Sequence, residues 1–576
     1  MQPRAILRFD GDCGFCRRRV NRWRLRTGDA IDYRPFGPGD DWRAVRYEGP
    51  DGERATGAAA VLRTLAHAPG GGLGWLLYRR LPGFGPVSEA CYRAVAWARP
   101  LLSPAYRLLD GPGEEPPGLE RTRAWFLRAL GLVYLAAFLS LWPQLRGLIG
   151  ARGILPVAQT LASVAEFHGA ARFHQFPTLL WLSSSDTALD LCVGGGVLCS
   201  LLVVCNLARP LALLGAWLCY LSLFTVGREF LSFQWDTLLL ETGGLALLLA
   251  PRRLPPTAPL WLLRWLLFRL MFASGVVKLT SGDTSWTDLT ALSFHWWTQP
   301  LPAWGGWQLA QLPVWFQKAA CLGSHVVELI VPFLVFLGRR PRLVAFFAFG
   351  TLQLLIAFAG NYGFFNLLTL VLCIPLLEGA PSPAPLPRRT RLVWARRGVM
   401  AALLVLSCVV FARGLRVRVP WPAPVRAAVA AVEPFRLASA YGLFRVMTKQ
   451  RREIELEGSD DGRAWKAYRF VYKPGRAGDA PRYLPLHMPR LDWRMWFLAL
   501  GSFDDSPWFW PLMERLLEGS PEVAGLLAHD PFPDAPPRYL RAMVYDCRFT
   551  TREERRAGGD WWVRTPLGRY SPVLER

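Results

Sequence analysis

Cysteine is sparse in this chain and does not form a disulfide framework. The eleven cysteines are spread over 576 residues, most of them inside apolar runs where a thiol behaves as a small hydrophobe. The N-terminus, MQPRAILRFDGDCGF, lacks the long apolar core of a signal peptide, so the first segment is expected to stay on the cytoplasmic side. Acidic residues are also short, 44 against 67 basic ones, for a net charge of +23. That excess would suit nucleic acid if it gathered on one soluble face. The arginines instead recur in short loops between apolar runs, the positive-inside pattern, so nucleic acid is not expected as a partner. EF-hand spacing is missing around Asp460 and Asp461, and GSDDG at 458–462 reads as a turn rather than a calcium loop.

What the chain does have is apolar length. Hydrophobic residues make up 52% of it, with 26 tryptophans, which points to a membrane protein with aromatic rings at its interfaces. Runs suited to spanning lie near 124–142, 187–207, 210–226, 236–250, 259–279, 316–337, 341–359, 361–378 and 393–412, about nine helices. With a cytoplasmic N-terminus the inside loops hold Arg209, Arg252, Arg253, Arg339, Arg340, Arg342, Arg388, Arg389, Arg391, Arg396 and Arg397. The outside loops hold fewer, which places everything after Arg413 beyond the cytoplasm. The expected organisation is an α/β domain over 1–110, a Pro/Gly linker over 111–122 opened by GPGEEPPG, a helical bundle over 123–412, and an exported β-rich domain over 413–576.

In the first segment, Ala5 to Phe9 reads as a strand, Arg17 to Arg26 as a helix and Ile31 to Arg34 as a second strand. Cys13 and Cys16 then fall at a helix start, where unpaired N–H groups and the dipole favour a thiolate. Gly14 permits the tight turn that brings the two sulfurs together. A CxxC pair is either a redox couple or half of a zinc site. A second CxxC is absent and His67 and Cys91 stand alone, which favours redox chemistry. FDGDCGFC, with TGAAAVLRTL at 56–65 and GLGWLLYRRLP at 72–82, resembles the DCC family of thiol-disulfide oxidoreductases. The resemblance implies a thioredoxin-like fold with Cys13 attacking and Cys16 resolving. Asp10, Gly11, Asp12 and Gly14 would be supporting motif residues, and an unidentified thiol would serve as electron donor.

The membrane region carries charge where lipid tolerates little. Arg228, Glu229, Gln234, Asp236 and Glu241 lie in REFLSFQWDTLLLETG, Arg269 and Lys278 in the next run, and His325 and Glu328 three apart in the one after. Carboxylates at that depth face a bundle interior or a water-filled cavity, so this cluster is either a packing network or a functional site, with Arg269 or Lys278 the expected partners of Glu241 and Asp236. The stretch 280–315, with Trp296 and Trp297, reads as a structured interfacial loop, and PRLDWRMWFLALG at 489–501 adds Trp493 and Trp496. These four are candidate client-binding residues, since Trp is enriched at binding hot spots; the alternatives are an ordinary core or a bilayer-docked face. Ile454 and Leu456, then Tyr468, Phe470 and Tyr472, alternate as in a hairpin.

REFLSFQWDTLLLETG, FRLMFASGVVKLTSGDTSWTDLTALSFHWWTQPLP and NYGFFNLLTLVLC resemble the lipase maturation factor family over residues 120–576. Its eukaryotic members are multi-pass proteins of the endoplasmic reticulum that help secreted lipases fold. The resemblance implies a protein of a bacterial inner membrane or reticulum-like membrane, with membrane lipids and a secreted lipase-like client as partners. The alternative is a membrane-embedded enzyme on a lipid-soluble or peptide substrate, distantly like the vitamin K-dependent carboxylase group, with Lys278, His295, Asp236 and Glu241 as acid-base groups. No cofactor or metal is expected. Cys192, Cys199, Cys205 and Cys219 raise a third question, a thiol relay across the membrane.

Overall fold

The computed structural model describes residues 4–37, 44–68, 72–110, 117–251, 257–377 and 391–576. Most of the predicted linker turn, along with Arg252, Arg253, Arg388 and Arg389, lies outside the described residues. The chain forms two compact units, one of residues 1–114 with 251–253, the other of 115–250 and 254–576.

The first unit is built on a four-stranded sheet. Strand β1 (Ala5–Phe9) leads through helix α1 (Gly14–Thr27) to β2 (Ile31–Pro35), and β3 (Arg46–Glu48) and β4 (Arg54–Thr56) precede helices α2 (Gly57–Ala66), α3 (Gly72–Arg80) and α4 (Phe84–Asp110). The order is β2-β1-β3-β4, with β1 parallel to β2 and antiparallel to β3. A parallel neighbour requires a crossover, which α1 supplies. Ala5, Leu7 and Phe9 alternate inward and meet Ile31, Val20 and Tyr47 in one core. Glu89 on α4 accepts the N–H groups of Ala58 and Ala59 at 3.1 and 3.0 Å, placing a carboxylate on the positive end of α2.

The second unit has seven helices long and apolar enough to cross a membrane among the described residues: Glu120–Ile149, Asp186–Val204, Arg209–Leu231, Thr257–Leu279, Val314–Phe336, Arg339–Ala359 and Ala395–Gly414. Two of the nine predicted runs do not qualify. The run at 236–250 is the 16-residue helix Gln234–Leu249, about 24 Å long against a hydrocarbon core of about 30 Å. The run at 361–378 is the shorter apolar helix Phe365–Leu377. Both are apolar because they are packed inside protein: Leu238, Leu239, Leu240, Leu368 and Leu372 are fully buried.

The segment after Arg413 does not separate as a unit of its own, and it is mixed rather than β-rich alone. Strand Tyr539–Phe549 lies between Trp562–Arg569 and Arg451–Ser459, and Lys466–Ala467 pairs on the far side of the last. The predicted hairpin is short, pairing Glu457 with Ala467 and Gly458 with Lys466, because most of Arg451–Ser459 pairs instead with the distant strand Tyr539–Phe549. Helices Arg490–Leu498 and Phe509–Leu517 bury Leu491, Trp493, Phe509 and Leu512 in the same core as Phe126 and Tyr220 of the bundle.

Candidate functional site

At the end of β1, Asp10 turns the chain. Its Oδ1 accepts the backbone N–H groups of Asp12 and Cys13, both at 3.0 Å, an Asx turn that positions the first cysteine. Cys13 is the N-cap of α1, and its Sγ accepts the N–H of Cys16 at 3.4 Å. That contact satisfies one of the unpaired N–H donors at the start of the helix. Cys16 is buried and Cys13 half-buried. One oxygen of Asp10 and the two sulfurs lie within 4.8 Å of one another, so the three residues form a single cluster. Gly11 approaches Pro35 so closely that a Cβ there would lie 2.7 Å from the proline Cβ.

Several charged residues of the second unit are buried and paired with one another. Asp236 is fully buried, and Arg490 holds it with two bonds of 2.6 and 2.8 Å while the Tyr220 hydroxyl donates at 2.6 Å. Glu241 pairs with Arg269 and accepts the Tyr441 hydroxyl at 2.7 Å and the Ser439 N–H at 2.9 Å; Arg269 also donates to the Ser439 carbonyl at 3.1 Å. Lys278 donates to Glu328 at 2.6 and 2.5 Å and lies 4.8 Å from the Trp286 ring centre. His325 Nε2 is 3.2 Å from the Trp286 carbonyl and 3.9 Å from Cys321 Sγ. His295 is buried 3.4 Å from the Tyr362 hydroxyl; burial, aided by the Lys278 ammonium, pushes its pKa down to about 3, so the ring is neutral.

Of the two predicted partners, Arg269 thus meets Glu241, whereas Lys278 meets Glu328 and neither reaches Asp236. Asp236, Glu241 and Glu328 are all buried in the membrane region, as are Arg269 and Lys278. Asp236 takes its cation from beyond the bundle, from Arg490. Arg228, Glu229 and Gln234 lie at the edge of this network. Arg228 is exposed at a kink in helix Arg209–Leu231, with φ 38° and ψ −115°, an unusual conformation for a long side chain. Glu229 pairs with Arg494, and Gln234 accepts the Gly442 N–H at 3.3 Å.

The tryptophans divide. Trp493 is buried 4.7 Å from the Trp235 ring and 5.7 Å from Tyr362, and buried Trp296 donates to Gln317. Neither presents a free ring to a client, because each fills the core of the unit. Trp297 and Trp496 are half-buried, with the Trp496 N–H donated to the Thr298 carbonyl at 2.8 Å. The predicted interfacial loop is therefore docked on the C-terminal segment. Arg451 strengthens this by donating to the Trp297 and Pro300 carbonyls at 3.0 and 2.9 Å. Of the four membrane cysteines, Cys192 and Cys219 meet across neighbouring helices, the Cys192 thiol lying 3.6 Å from the Cys219 carbonyl, while Cys205 is exposed.

Residues 121–382 match the lipase maturation factor transmembrane domain and residues 437–572 the lipase maturation factor C-terminal domain. The chain is 36% identical over 599 residues to lipase maturation factor 2 of Gallus gallus, covering 80% of this chain and 82% of that protein. It is 35% identical to lipase maturation factor 2 of Homo sapiens over 79% of this chain and 83% of the relative. Against lipase maturation factor 1 of Mus musculus it is 34% identical, over 81% and 90%. No solved structure matches. With these matches and seven long apolar helices among the described residues, the chain is a multi-pass integral membrane protein belonging to the lipase maturation factor family.

Proposed function

We propose that this protein assists the maturation of a secreted lipase-like hydrolase, and that its first unit is a thioredoxin-like, DCC-type thiol-disulfide oxidoreductase. The maturation role rests on kinship with proteins named lipase maturation factors over most of the chain. The redox role rests on one observation: Cys13 caps α1 with its sulfur on the Cys16 N–H, and Cys16 is buried behind it. The Cys13 thiolate attacks one sulfur of a substrate disulfide, and the other sulfur leaves as a thiolate that takes a proton from water. Cys16, losing its proton, then attacks Cys13 Sγ, forming the Cys13–Cys16 disulfide and releasing the second substrate thiol. The substrate is reduced by two electrons and the pair oxidised by two, and a small or protein thiol donor resets it.

A cytoplasmic first unit followed by the seven long apolar helices among the described residues would leave the C-terminal segment outside, so the thiol pair and the exported client would work on opposite sides. We assign the buried charges to holding the bundle and the C-terminal segment in one geometry. Asp236, Glu241 and Glu328 are each paired with a cation, which suits them to structure rather than to acting as a base. The test is the Cys16→Ser variant of the full chain, alkylated and run without reductant. Mixed disulfides should accumulate through Cys13 and vanish when Cys13→Ser is added. A Cys16→Ser protein that traps nothing would sink the redox role. The maturation role is checked separately, by the specific activity of a co-expressed secreted lipase with and without this protein.

A further inference from the structure

We propose that the second unit binds the headgroup of a zwitterionic, amino-bearing membrane phospholipid in a cavity beside the start of helix Gln234–Leu249. The cavity holds about 310 Å³ and is walled on one side by Leu406 and Val410. Those two belong to the span Ala395–Gly414, of which only 17% is buried, against 72% of Thr257–Leu279. A span so little covered by protein turns its side chains to acyl chains, so the cavity opens beside lipid. Its other lining is polar: Gln234, Arg413, Glu433 and Arg436.

Arg436 distinguishes this site from the rest of the unit. Arg269, Arg451 and Arg490 each hold a carboxylate. Among the described residues, neither Arg436 nor Arg413 forms a salt bridge. Arg436 sits in the left-handed region at φ 53° and ψ 35°, lies 5.3 Å from the Phe224 ring centre, and leaves its Nε buried without a hydrogen-bond partner. A long side chain in that conformation is strained and persists only where the surroundings impose it. Burial lowers the Arg436 pKa, and the Glu433 carboxylate offsets only part of that effect. A planar guanidinium with unused donors, facing a cavity, is suited to the oxygens of a phosphodiester, which it binds as a fork.

Glu433 lines the same cavity and opposes a purely anionic ligand. It supplies the partner for an ammonium group, so one phosphate and one amine together satisfy the lining, as in a phosphoethanolamine head. The volume admits a headgroup and not two acyl chains, which would lie along Leu406 and Val410. Ser439 also lines the cavity, and its backbone N–H and carbonyl hold Glu241 and Arg269. A bound head thus braces the buried pair from outside.

The probe is phosphatidylethanolamine, added to the full-length protein in detergent and followed by native mass spectrometry, with diacylglycerol and inorganic phosphate as comparators. Phosphatidylethanolamine should be retained and diacylglycerol should not. Arg413→Gln with Arg436→Gln should weaken retention about tenfold or more, the loss of charge-assisted bonds to phosphate. Leu406→Trp with Val410→Trp, which keeps both arginines and fills the apolar wall, should do the same, and gel filtration would verify that each variant is folded. Equal retention by either variant, or of diacylglycerol, would overturn the proposal. Displacement of the lipid by millimolar inorganic phosphate would overturn the lipid assignment in favour of a soluble anion.

Discussion

The Cys13–Cys16 turn and the Asp236–Glu241 helix both gather reactive side chains, and they differ in what those side chains still have to give. In the turn, Cys13 is half-exposed and its sulfur takes one weak N–H bond. In the helix, Asp236 and Glu241 each take a guanidinium and a phenol, fully out of water. A group saturated with partners holds structure, because releasing it leaves a desolvated charge. A group with spare valence at a surface is free to react.

Arg490→Ala should break the comparison most forcefully. It strands the Asp236 carboxylate in the core and should destabilise the second unit by about 3–5 kcal/mol, read as loss of folded protein in detergent, while cysteine trapping at Cys13 in Cys16→Ser stays intact. Adding Asp236→Asn should recover part of the loss; no recovery would mean that Arg490 acts through packing rather than charge. Cys13→Ser is the converse, abolishing disulfide exchange while leaving thermal unfolding of the second unit unchanged.

Close packing gives a smaller effect. A Cβ at Gly243 would lie 2.0 Å from the Tyr134 hydroxyl and 2.9 Å from Trp217, so Gly243→Ala should cost about 1–3 kcal/mol, measured by thermal unfolding. The pH dependence should be smaller still near neutrality. The unfolded His295 binds a proton below about 6.5, whereas the folded one resists it down to about 3. Between those values the unfolded state carries more protons, so stability is present above pH 6.5 and falls with pH by about 1.4 kcal/mol per unit. His295→Gln should flatten that part of the curve relative to the parent; an unchanged slope would rule the histidine out. The smallest expected effect is that of Asp10→Ala, which frees two backbone donors and should cost the first unit about 0.5–1.5 kcal/mol, with slower trapping at Cys13. Asp10→Asn, which keeps the acceptor, should be close to neutral.

Much of this was legible in the chain itself. The strand Ala5–Phe9 and the helix after the cysteines follow from local periodicity and capping, and the turn was readable because its residues are neighbours. The depth of Asp236 and Glu241 was evident from the apolar run around them. Their partners were legible only in part: Arg269 was expected beside Glu241, but nothing local marks Arg490, 254 residues away, as the partner of Asp236. The same limit explains the tryptophans. Composition marks Trp493 and Trp296 as rings seeking contact, and the contact turned out to be internal.

The sequence by itself determined the class of molecule, the membrane setting and the Cys13–Cys16 turn, since each depends on composition or on residues within a few positions of one another. Only the tertiary structure decided which apolar runs are spans and which are buried half-helices, because a run of leucines reads the same against lipid as against protein. It also decided that the C-terminal segment is the wall that completes the bundle: pairings between residues hundreds of positions apart are fixed by the folded chain and by no local signal.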